Sequence, residues 1–236
     1  SEVDTILCPI GGGGIIAGIA VAAKGINPNI KIVGVQTANI PSMQESMKNG
    51  EVTTAFKSTT IADGIAVKTP GDVTFEIINE LVDEVVVVEE DEIAQGMLFL
   101  MENQKVVAEG AGAVTTAALL SGKYVPKKDE NVVCVISGGN VDVNTLYRVI
   151  GTALTKEARR YSFNTVIQDK PGGLAELTKI ISEYDANILS ANLSRSSMGG
   201  ALGSLTAEMV LETFNHDHID KLKVAITEAG FEIVEI

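Results

Sequence analysis

Four consecutive glycines, Gly11, Gly12, Gly13 and Gly14, form the most distinctive motif of this sequence of 236 residues. They lie between an apolar run that predicts a buried strand and a helical pattern that begins at Ile15. Residues without a Cβ atom let successive backbone N–H groups gather around an anion, and the N-terminus of a helix adds the positive end of its dipole. The loop is therefore predicted to bind a phosphate or a carboxylate.

A dinucleotide could use the same loop, because Gly12, Gly14 and Ala17 match the looser form of the dinucleotide-binding fingerprint. That interpretation requires an acidic residue about 20 residues later, at the end of the second strand, to bind the ribose. The second predicted strand ends in Gln36 and Thr37 instead. The sequence therefore favours a simple anion, and a nucleotide remains the alternative.

Further polar side chains are expected near the glycine loop. Ser137 follows the apolar run Asn131–Ile136, so it should emerge at the same carboxyl edge of a parallel sheet. Its hydroxyl could bind a heteroaromatic nitrogen or a substrate, or it could cap the following helix. Glu109 lies among small residues at a helix start, where a site role and an interaction with the helix dipole both fit. Asp63 is most simply a turn residue.

Charge and cysteine content argue against several kinds of partner. The chain has 18 basic and 31 acidic residues, for a net charge of −13, whereas nucleic acid or an anionic membrane requires clustered Lys and Arg. His216 and His218 have no further His or Cys placed to complete a metal site, so we interpret them as part of a helix cap. Cys8 and Cys134 lie in apolar runs, which favours a reducing, cytoplasmic compartment. We expect no nucleic acid, membrane or metal as a partner.

The elements that must position these residues follow an α/β pattern over most of the chain. Nearly continuous apolar runs alternate with helical patterns, which predicts a parallel sheet covered on both faces. The predicted strands are Thr5–Ile10, Lys31–Thr37, Glu84–Val88 and Asn131–Ile136, and the predicted helices are Ile15–Lys24, Pro41–Asn49, Pro70–Leu81, Glu89–Asn103 and Gly112–Leu120.

The pattern changes near residue 158. The strands Tyr161–Gln168, Asn187–Ser194, Ser204–Thr213 and Phe231–Ile236, with the helices Pro171–Tyr184 and His218–Ala229, follow a β-α-β-β-α-β order. The sequence therefore predicts two domains, residues 1–158 and 159–236.

Four segments together resemble the pyridoxal-phosphate threonine ammonia-lyases, also called threonine dehydratases. They are residues 9–18 (PIGGGGIIAG), 61–64 (IADG), 109–113 (EGAGA) and 135–142 (VISGGNVD). The tail, with Asp169–Leu174 (DKPGGL), is similar to an ACT domain, a ferredoxin-like amino-acid-binding module. The resemblance implies a fold-type-II pyridoxal-phosphate domain followed by one ACT domain, as in the shorter, catabolic-type enzymes.

The resemblance also implies roles for individual residues. The four glycines would bind the phosphate of the cofactor, Ser137 would bind its pyridine nitrogen, and Glu109 would lie near the polar edge of its ring. A neutral serine hydroxyl leaves the ring nitrogen largely unprotonated, which favours prompt loss of a β-hydroxyl group. The implied reaction is deamination of L-threonine, and of L-serine, to 2-oxobutanoate or pyruvate and ammonia.

In the tail, the resemblance implies an effector site at a pair of domains. Gly172, Gly173 and Leu174 would offer free N–H groups at a helix N-terminus to the carboxylate of a small amino acid. Asn187 and Ile188 would supply an amide and an apolar wall, from the same copy or from a partner copy. Isoleucine, valine, threonine and serine are the candidates, and a passive dimerisation element is the alternative.

The sequence also departs from the family. The family's Schiff-base lysine belongs to a Ser-Phe-Lys-x-Arg-Gly motif upstream of the glycine loop, and this sequence has no such motif. We therefore expect a fragment that lacks the N-terminal half of the catalytic domain, contains no catalytic residue and does not retain the cofactor. By itself such a fragment would be a non-catalytic amino-acid-binding and oligomerisation module.

Two further expectations follow from the same comparison. Related serine racemases carry acidic metal ligands where this sequence has Gln36 and Ser42, so no divalent-cation site is expected. We also expect Gly13→Asp to weaken cofactor binding far more than folding, because its carboxylate would face the phosphate.

Overall fold

The computed structural model describes residues 3–195 and 203–235. It divides into two compact units, Ser1–Ile150 and Gly151–Ile236, and each unit contains one sheet of four strands. The boundary predicted at residues 158 and 159 falls within the second unit. Among the described residues, no helix has the length and apolar character needed to cross a membrane.

The first unit contains a parallel sheet, as predicted. Its strands follow the order β3-β2-β1-β4 and all pairs are parallel. The strands are β1 (Thr5–Pro9), β2 (Lys31–Thr37), β3 (Glu84–Val88) and β4 (Val132–Cys134), and the helices are α1 (Gly14–Ile26), α2 (Ser42–Asn49), α3 (Asp72–Leu81), α4 (Glu90–Phe99) and α5 (Gly110–Leu120). The helix predicted at Glu89–Asn103 ends earlier, because a π-helical turn follows at Leu100–Gln104.

Helices cover both faces of this sheet because successive strand residues point to opposite sides. Leu7 and Val33 pack into a buried cluster that includes residues of α4 and α5. Their neighbours Cys8 and Ile32 pack into a second cluster that includes residues of α1, α2 and α3. The two cysteines therefore do not meet, since Cys134 packs against the first cluster and Cys8 belongs to the second.

The last strand of this sheet is less buried than its apolar sequence predicts. β4 covers only three residues of the predicted strand Asn131–Ile136, and Val133 is 41% exposed. β4 lies at the end of the strand order and pairs with β1 alone among the described strands. An edge strand has a neighbour on one side only, so the prediction of a buried strand was wrong here.

The second unit contains an antiparallel sheet, and its elements have the predicted β-α-β-β-α-β order. The strand order is β6-β7-β5-β8. The elements are β5 (Arg160–Gln168), α7 (Gly173–Glu183), β6 (Asn187–Ser194), β7 (Ser204–Glu212), α8 (His216–Glu228) and β8 (Val234–Glu235); a further helix, α6 (Val143–Lys156), spans the point of division. Its core joins alternate residues of β5 and β7, such as Phe163 and Met209, to Leu177 of α7 and Leu222 of α8.

In the first unit, Glu130 joins β1 to the segment that follows α5. Its Oε1 atom lies 2.5 Å from the hydroxyls of Thr5 and Tyr124, and its Oε2 atom lies 2.6 Å from the N–H of Lys127. These donors stabilise the charged carboxylate, the Thr5 hydroxyl most strongly. They lower the pKa of Glu130 from 4.5 to about 2.

We expect Glu130→Gln to lower the free energy of unfolding at neutral pH, and we expect this difference from wild type to shrink in acid. The carboxylate is charged in both states above pH 4.5, so its hydrogen bonds stabilise the fold fully there. As the pH falls from 4.5 towards about 2, the unfolded chain binds the proton first and the stabilisation is lost. Urea titrations at about pH 7 and about pH 3 measure the difference, and an equal difference at both would contradict the expectation.

Candidate functional site

The site residues predicted in the first unit converge on one cavity of about 280 Å³. The loops that follow β1 and β4 meet there because these adjacent strands are parallel and end at the same edge of the sheet. Its lining consists of Pro9, Gly11, Gly12, Gly13, Gly14, Ile15, Gly64, Ile65, Glu109, Ala111 and Ser137. Gly64 and Ile65 were not singled out as site residues, although Gly64 ends the IADG segment noted above.

The glycine loop presents N–H groups at the start of α1. Gly13 precedes the helix with φ of +96°, a left-handed conformation that glycine adopts readily. The first helical hydrogen bond runs from the N–H of Ala17 to the carbonyl of Gly13, at 3.0 Å. The N–H groups of Gly14, Ile15 and Ile16 precede that bond, and such groups at a helix start have no partner within the helix. They can therefore receive an anion.

Gly13 and Gly14 face different surroundings. A Cβ atom on Gly13 would lie 2.7 Å from Cδ1 of Ile78 and 2.9 Å from Cβ of Thr74, both on α3. A Cβ atom on Gly14 would meet no atom within 4 Å. The expectation for Gly13→Asp was therefore wrong, because its side chain would collide with α3 and disturb folding. Gly14 is the position where a carboxylate reaches open space.

Glu109 lies at the start of α5, but it does not cap that helix with its side chain. Its Oε2 atom accepts the N–H of Asn140 at 3.2 Å, and its own N–H donates to the carbonyl of Gly138 at 3.2 Å. A Cβ atom on Gly138 would lie 2.3 Å from Oε1 of Glu109. The carboxylate is thus held against the turn that carries Ser137.

Ser137 does not cap the following helix, which was one interpretation of its position. That helix, α6, begins at Val143. The carboxylate of Asp142 accepts the N–H groups of Asn144 and Thr145, both at 3.0 Å. Asp142 therefore caps α6, and Ser137 lines the cavity five residues earlier.

The glycines of α5 bring the separate segments of the site together. A Cβ atom on Gly110 would lie 2.4 Å from the carbonyl oxygen of Ile61, and one on Gly112 would lie 2.4 Å from the carbonyl oxygen of Gly138. Neither backbone can withdraw easily, so both positions require glycine. The EGAGA segment therefore acts as a packing surface for the loops before and after it.

The polar groups near the end of β2 are already engaged. Gln36 donates to the carbonyl of Ile10 at 3.4 Å and accepts the N–H of Gln44 at 2.9 Å, while Ser42 donates to the carbonyl of Val67 at 2.6 Å. Within residues 3–195 and 203–235, no group of three or more His, Cys, Asp and Glu side chains could hold a metal ion.

The side chains of Asp63, Lys24 and Lys31 do not line the cavity and are engaged in contacts with other residues. Asp63 accepts the N–H of Gly64 at 2.9 Å, as a turn residue does. No lysine belongs to the lining of the cavity among the described residues. Lys24 pairs with Asp83 and Lys31 pairs with Glu84, at 2.9 and 2.8 Å.

The predicted effector residues divide between the two ends of the second sheet. Gly172 and Gly173 follow the end of β5, at Gln168. Asn187 pairs with Glu212, which pairs with Arg160 at the start of β5. The length of β5 therefore separates the two groups within one chain, roughly 25 Å at 3.3 Å per residue. A site formed by both groups of a single copy is excluded.

The glycine turn before α7 offers fewer free N–H groups than expected. The N–H of Gly173 donates to the carbonyl of Lys170 at 3.1 Å, and a Cβ atom on Gly173 would lie 2.3 Å from the carbonyl oxygen of Gln168. The side chains of Leu174 and Ile188 both pack against the core of the unit. Leu174 can therefore offer a ligand its backbone, but its side chain is committed to packing.

The two histidines lie at the start of α8, where a cap was predicted. The Asn215 side chain accepts the N–H of His218 at 2.9 Å. The Nδ1 atom of His218 accepts the N–H of Phe214 at 3.1 Å, so its Nε2–H donates to the carbonyl of Tyr184 at 2.6 Å. His216 is exposed, whereas the His218 ring is half-buried and hydrogen-bonded at both nitrogens.

Known proteins are similar in sequence to nearly the whole of this chain. Residues 1–138 match the model of a family described as pyridoxal-phosphate dependent enzyme. An L-threonine ammonia-lyase of Thermotoga maritima is 45% identical over 232 residues, which are 98% of this chain and 57% of that protein. The catabolic L-threonine dehydratase TdcB of Escherichia coli K12 is 50% identical over 153 residues, which are 64% of this chain and 46% of that protein. The chain thus spans about half the length of these relatives.

Two solved structures are also similar to about two thirds of this chain. Maize serine racemase matches with a TM-score of 0.58 and 36% identity over 66% of this chain and 49% of that chain. The processed form of threonine deaminase isoform 2 from Solanum lycopersicum matches with a TM-score of 0.59 and 34% identity, over 65% of this chain and 45% of that chain.

Proposed function

Because this chain belongs to the family of pyridoxal-phosphate dependent enzymes, we propose that it is the carboxyl-terminal part of a threonine ammonia-lyase. The proposed reaction converts L-threonine, and L-serine, to 2-oxobutanoate or pyruvate and ammonia. Identities of 43–50% to proteins named for this activity support the proposal. The observation that carries it is the single cavity in which the glycine loop, Glu109 and Ser137 meet.

The residues of the cavity fit pyridoxal phosphate. At Gly14 and Gly12 the loop leaves room beside the backbone, since a Cβ atom would meet nothing within 4 Å at Gly14 and only Cγ1 of Val67, at 3.8 Å, at Gly12. The N-terminus of α1 supplies the N–H groups and the positive dipole end that a phosphate requires. We assign the phosphate to Gly11–Gly14. When bound, pyridoxal phosphate supplies an electron sink for bond breaking at an amino acid.

Ser137 and Glu109 would serve the ring of the cofactor. A serine hydroxyl can donate a hydrogen bond to a ring nitrogen without transferring its proton, because its acidity is far too low. Glu109 would lie near the polar edge of the ring, and the N–H of Asn140 holds its carboxylate there. The two residues would thus orient the ring, and the neutral hydroxyl of Ser137 would leave its nitrogen largely unprotonated.

We expect this chain alone to release no ammonia from L-threonine, even with added pyridoxal phosphate. The complete ammonia-lyase of which it would be the carboxyl-terminal part, hereafter the longer protein, should be active. The chain alone should be inactive because no lysine lines the cavity among the described residues, and this cofactor chemistry requires one. Ammonia release from each protein, at equal molar concentration, measures the difference. Release by the chain at a rate near that of the longer protein would contradict the expectation, and an inactive longer protein would contradict the proposed reaction.

For the second unit, we propose that it pairs with a second copy and binds a small amino acid between the copies. The opposite positions of Gly172 and Asn187 on the sheet support a shared site, because the turn of one copy can meet the strand start of its partner when two sheets associate antiparallel. The edge strand β6 offers a surface for such pairing, with Leu189 and Leu193 about half exposed. In this proposal the ligand regulates the enzyme.

We expect one of isoleucine, valine, threonine or serine to bind the full chain, and we expect Asn187→Ala to weaken that binding. Asn187 is exposed at the start of β6, so its replacement should leave the fold intact. Asn192→Ala, exposed on the same strand, is the matched control. Gly173 is not a suitable position for substitution, because an added side chain would meet the backbone of Gln168.

Calorimetry with each amino acid and the molecular mass in solution together test this part of the proposal. A dimer that binds none of the four amino acids would indicate that the unit is a passive dimerisation element. A monomer that binds none of them would contradict both the proposed pairing and the proposed ligand binding.

We also propose a cytoplasmic location for the protein. Cys8 and Cys134 are both free thiols, and they belong to clusters on opposite faces of the first sheet. Free thiols are typical of a reducing compartment.

A further inference from the structure

The carbonyl group of Gly12 is held by α3, behind the glycine loop. The hydroxyl of Thr74 lies 2.5 Å from Gly12 O and donates to it. The N–H of Gly71 points to the same oxygen at 3.5 Å. Neither Thr74 nor Gly71 belongs to the lining of the cavity, so this carbonyl faces away from it.

The position of this carbonyl determines where the next N–H group points. A peptide bond is planar and trans, so the carbonyl of Gly12 and the N–H of Gly13 point in opposite directions. With the oxygen held on α3, the N–H of Gly13 is directed away from α3. Gly13 and Gly14 line the cavity, so this N–H points to the side on which an anion would bind.

A run of four glycines does not maintain this orientation by itself. Glycine has no Cβ atom to restrict its backbone, so the Gly12–Gly13 peptide could rotate at little cost. The rotated peptide would direct a carbonyl oxygen at the bound phosphate, and the negative charge of the phosphate would repel the partial negative charge of that oxygen. The loop therefore needs a constraint from outside, and Thr74 is placed to supply it.

Thr74 donates a hydrogen bond to the loop and also occupies the space beside Gly13. Its hydroxyl has one hydrogen and two acceptors in reach, Gly12 O at 2.5 Å and Gly71 O at 3.0 Å, and the nearer one belongs to the loop. Its Cβ atom lies 2.9 Å from the position of a Cβ atom on Gly13. The hydroxyl orients the peptide, and the Cβ atom fills the space behind it.

We propose that Thr74 is a positioning residue for phosphate binding, which orients the Gly12–Gly13 peptide so that its N–H faces the phosphate of the cofactor. Thr74 acts through the loop and touches neither cofactor nor substrate. The inference rests on the proposed function of the cavity. It requires that loss of the hydroxyl weakens binding of the phosphate group and leaves the contacts of the ring unchanged.

The experiment compares Thr74→Val, which removes the hydroxyl and keeps the shape, with Thr74→Ser, which keeps the hydroxyl. Both are made in the longer protein, and binding of pyridoxal phosphate and of pyridoxal, which has no phosphate, is measured by absorbance titration. We expect Thr74→Val to weaken the binding of pyridoxal phosphate about tenfold. The affinity of Thr74→Ser for pyridoxal phosphate should stay within about threefold of that of the wild type. Pyridoxal should bind all three proteins alike. The ³¹P resonance of bound cofactor should move in Thr74→Val only.

Several outcomes would overturn the proposal. Unchanged affinity of folded Thr74→Val for pyridoxal phosphate would do so, and so would an equal loss for both compounds, which indicates a purely structural role. If Thr74→Val does not fold, Thr74→Ala is compared with Thr74→Ser by the same titrations. Failure of the wild-type longer protein to bind pyridoxal phosphate would instead overturn the proposed function, and this inference with it.

Discussion

Replacing Gly14 by aspartate is expected to weaken binding of pyridoxal phosphate by about 3 kcal/mol, roughly 150-fold, while the protein stays folded. A Cβ atom on Gly14 would meet no atom within 4 Å, so the start of the aspartate side chain fits without displacing its neighbours. It would place a carboxylate beside the N–H groups that receive the phosphate, and two like charges about 4 Å apart repel by about 4 kcal/mol at an effective dielectric constant near 20. Titration of the longer protein with the cofactor measures the effect.

The stability of the Gly14→Asp variant should move in the opposite direction. Gly14 is the first residue of α1, and a negative charge there interacts favourably with the helix dipole, by about 0.3–1 kcal/mol. Gly14→Asn is the matched control, because it adds a similar volume without the charge. Equal losses of affinity in Gly14→Asp and Gly14→Asn would show that bulk, and not the phosphate charge, governs binding at this position.

Replacing Gly112 by alanine is expected to lower the free energy of unfolding by about 3 kcal/mol, a large effect for one methyl group. The added Cβ atom would lie 2.4 Å from the carbonyl oxygen of Gly138, which is a backbone atom and cannot turn away as a flexible side chain could. Relief requires α5 to move away from the turn that carries Ser137, so cofactor binding should weaken as well. Urea unfolding of this chain measures the loss of stability.

Gly18→Ala is the control for this substitution. Gly18 is exposed within α1, and a Cβ atom there would meet no atom within 4 Å. Alanine should raise the free energy of unfolding by about 0.5–1 kcal/mol, because it favours the helix and restricts the unfolded chain. If Gly112→Ala proved as stable as Gly18→Ala, the close approach of α5 to Gly138 would be contradicted.

The architecture of the first unit could be predicted because its signals are local. Short apolar runs separated by helical patterns indicate buried parallel strands, and β2 and β3 have the predicted bounds, Lys31–Thr37 and Glu84–Val88. Parallel strands end at one edge of their sheet, which is why the glycine loop and Ser137 could be placed together. The prediction that the loop binds an anion likewise rests on residue types alone, since it depends on the backbone of glycines at a helix start.

The burial of the strands was less predictable than their positions. Val133 has the same apolar character as the residues of β1, yet it is 41% exposed because β4 lies at the edge of the sheet. The order of strands in a sheet depends on pairing between distant segments, and a local apolar run does not contain that information. The same limit applies to the second unit, where the register of β5, β7 and β6 places Asn187 far from Gly172.

The sequence by itself therefore determined which segments supply the candidate site, and only the tertiary structure decided what each residue faces. A glycine has no side chain whose polarity could indicate a direction, so its sequence context could not show that Gly13 faces α3 while Gly14 faces open space. The bond from Thr74 to Gly12 joins residues that are 62 positions apart, beyond the reach of any local pattern. Directions and contacts of this kind arise when separate elements pack, because packing decides which atoms have room and which hydrogen bonds form.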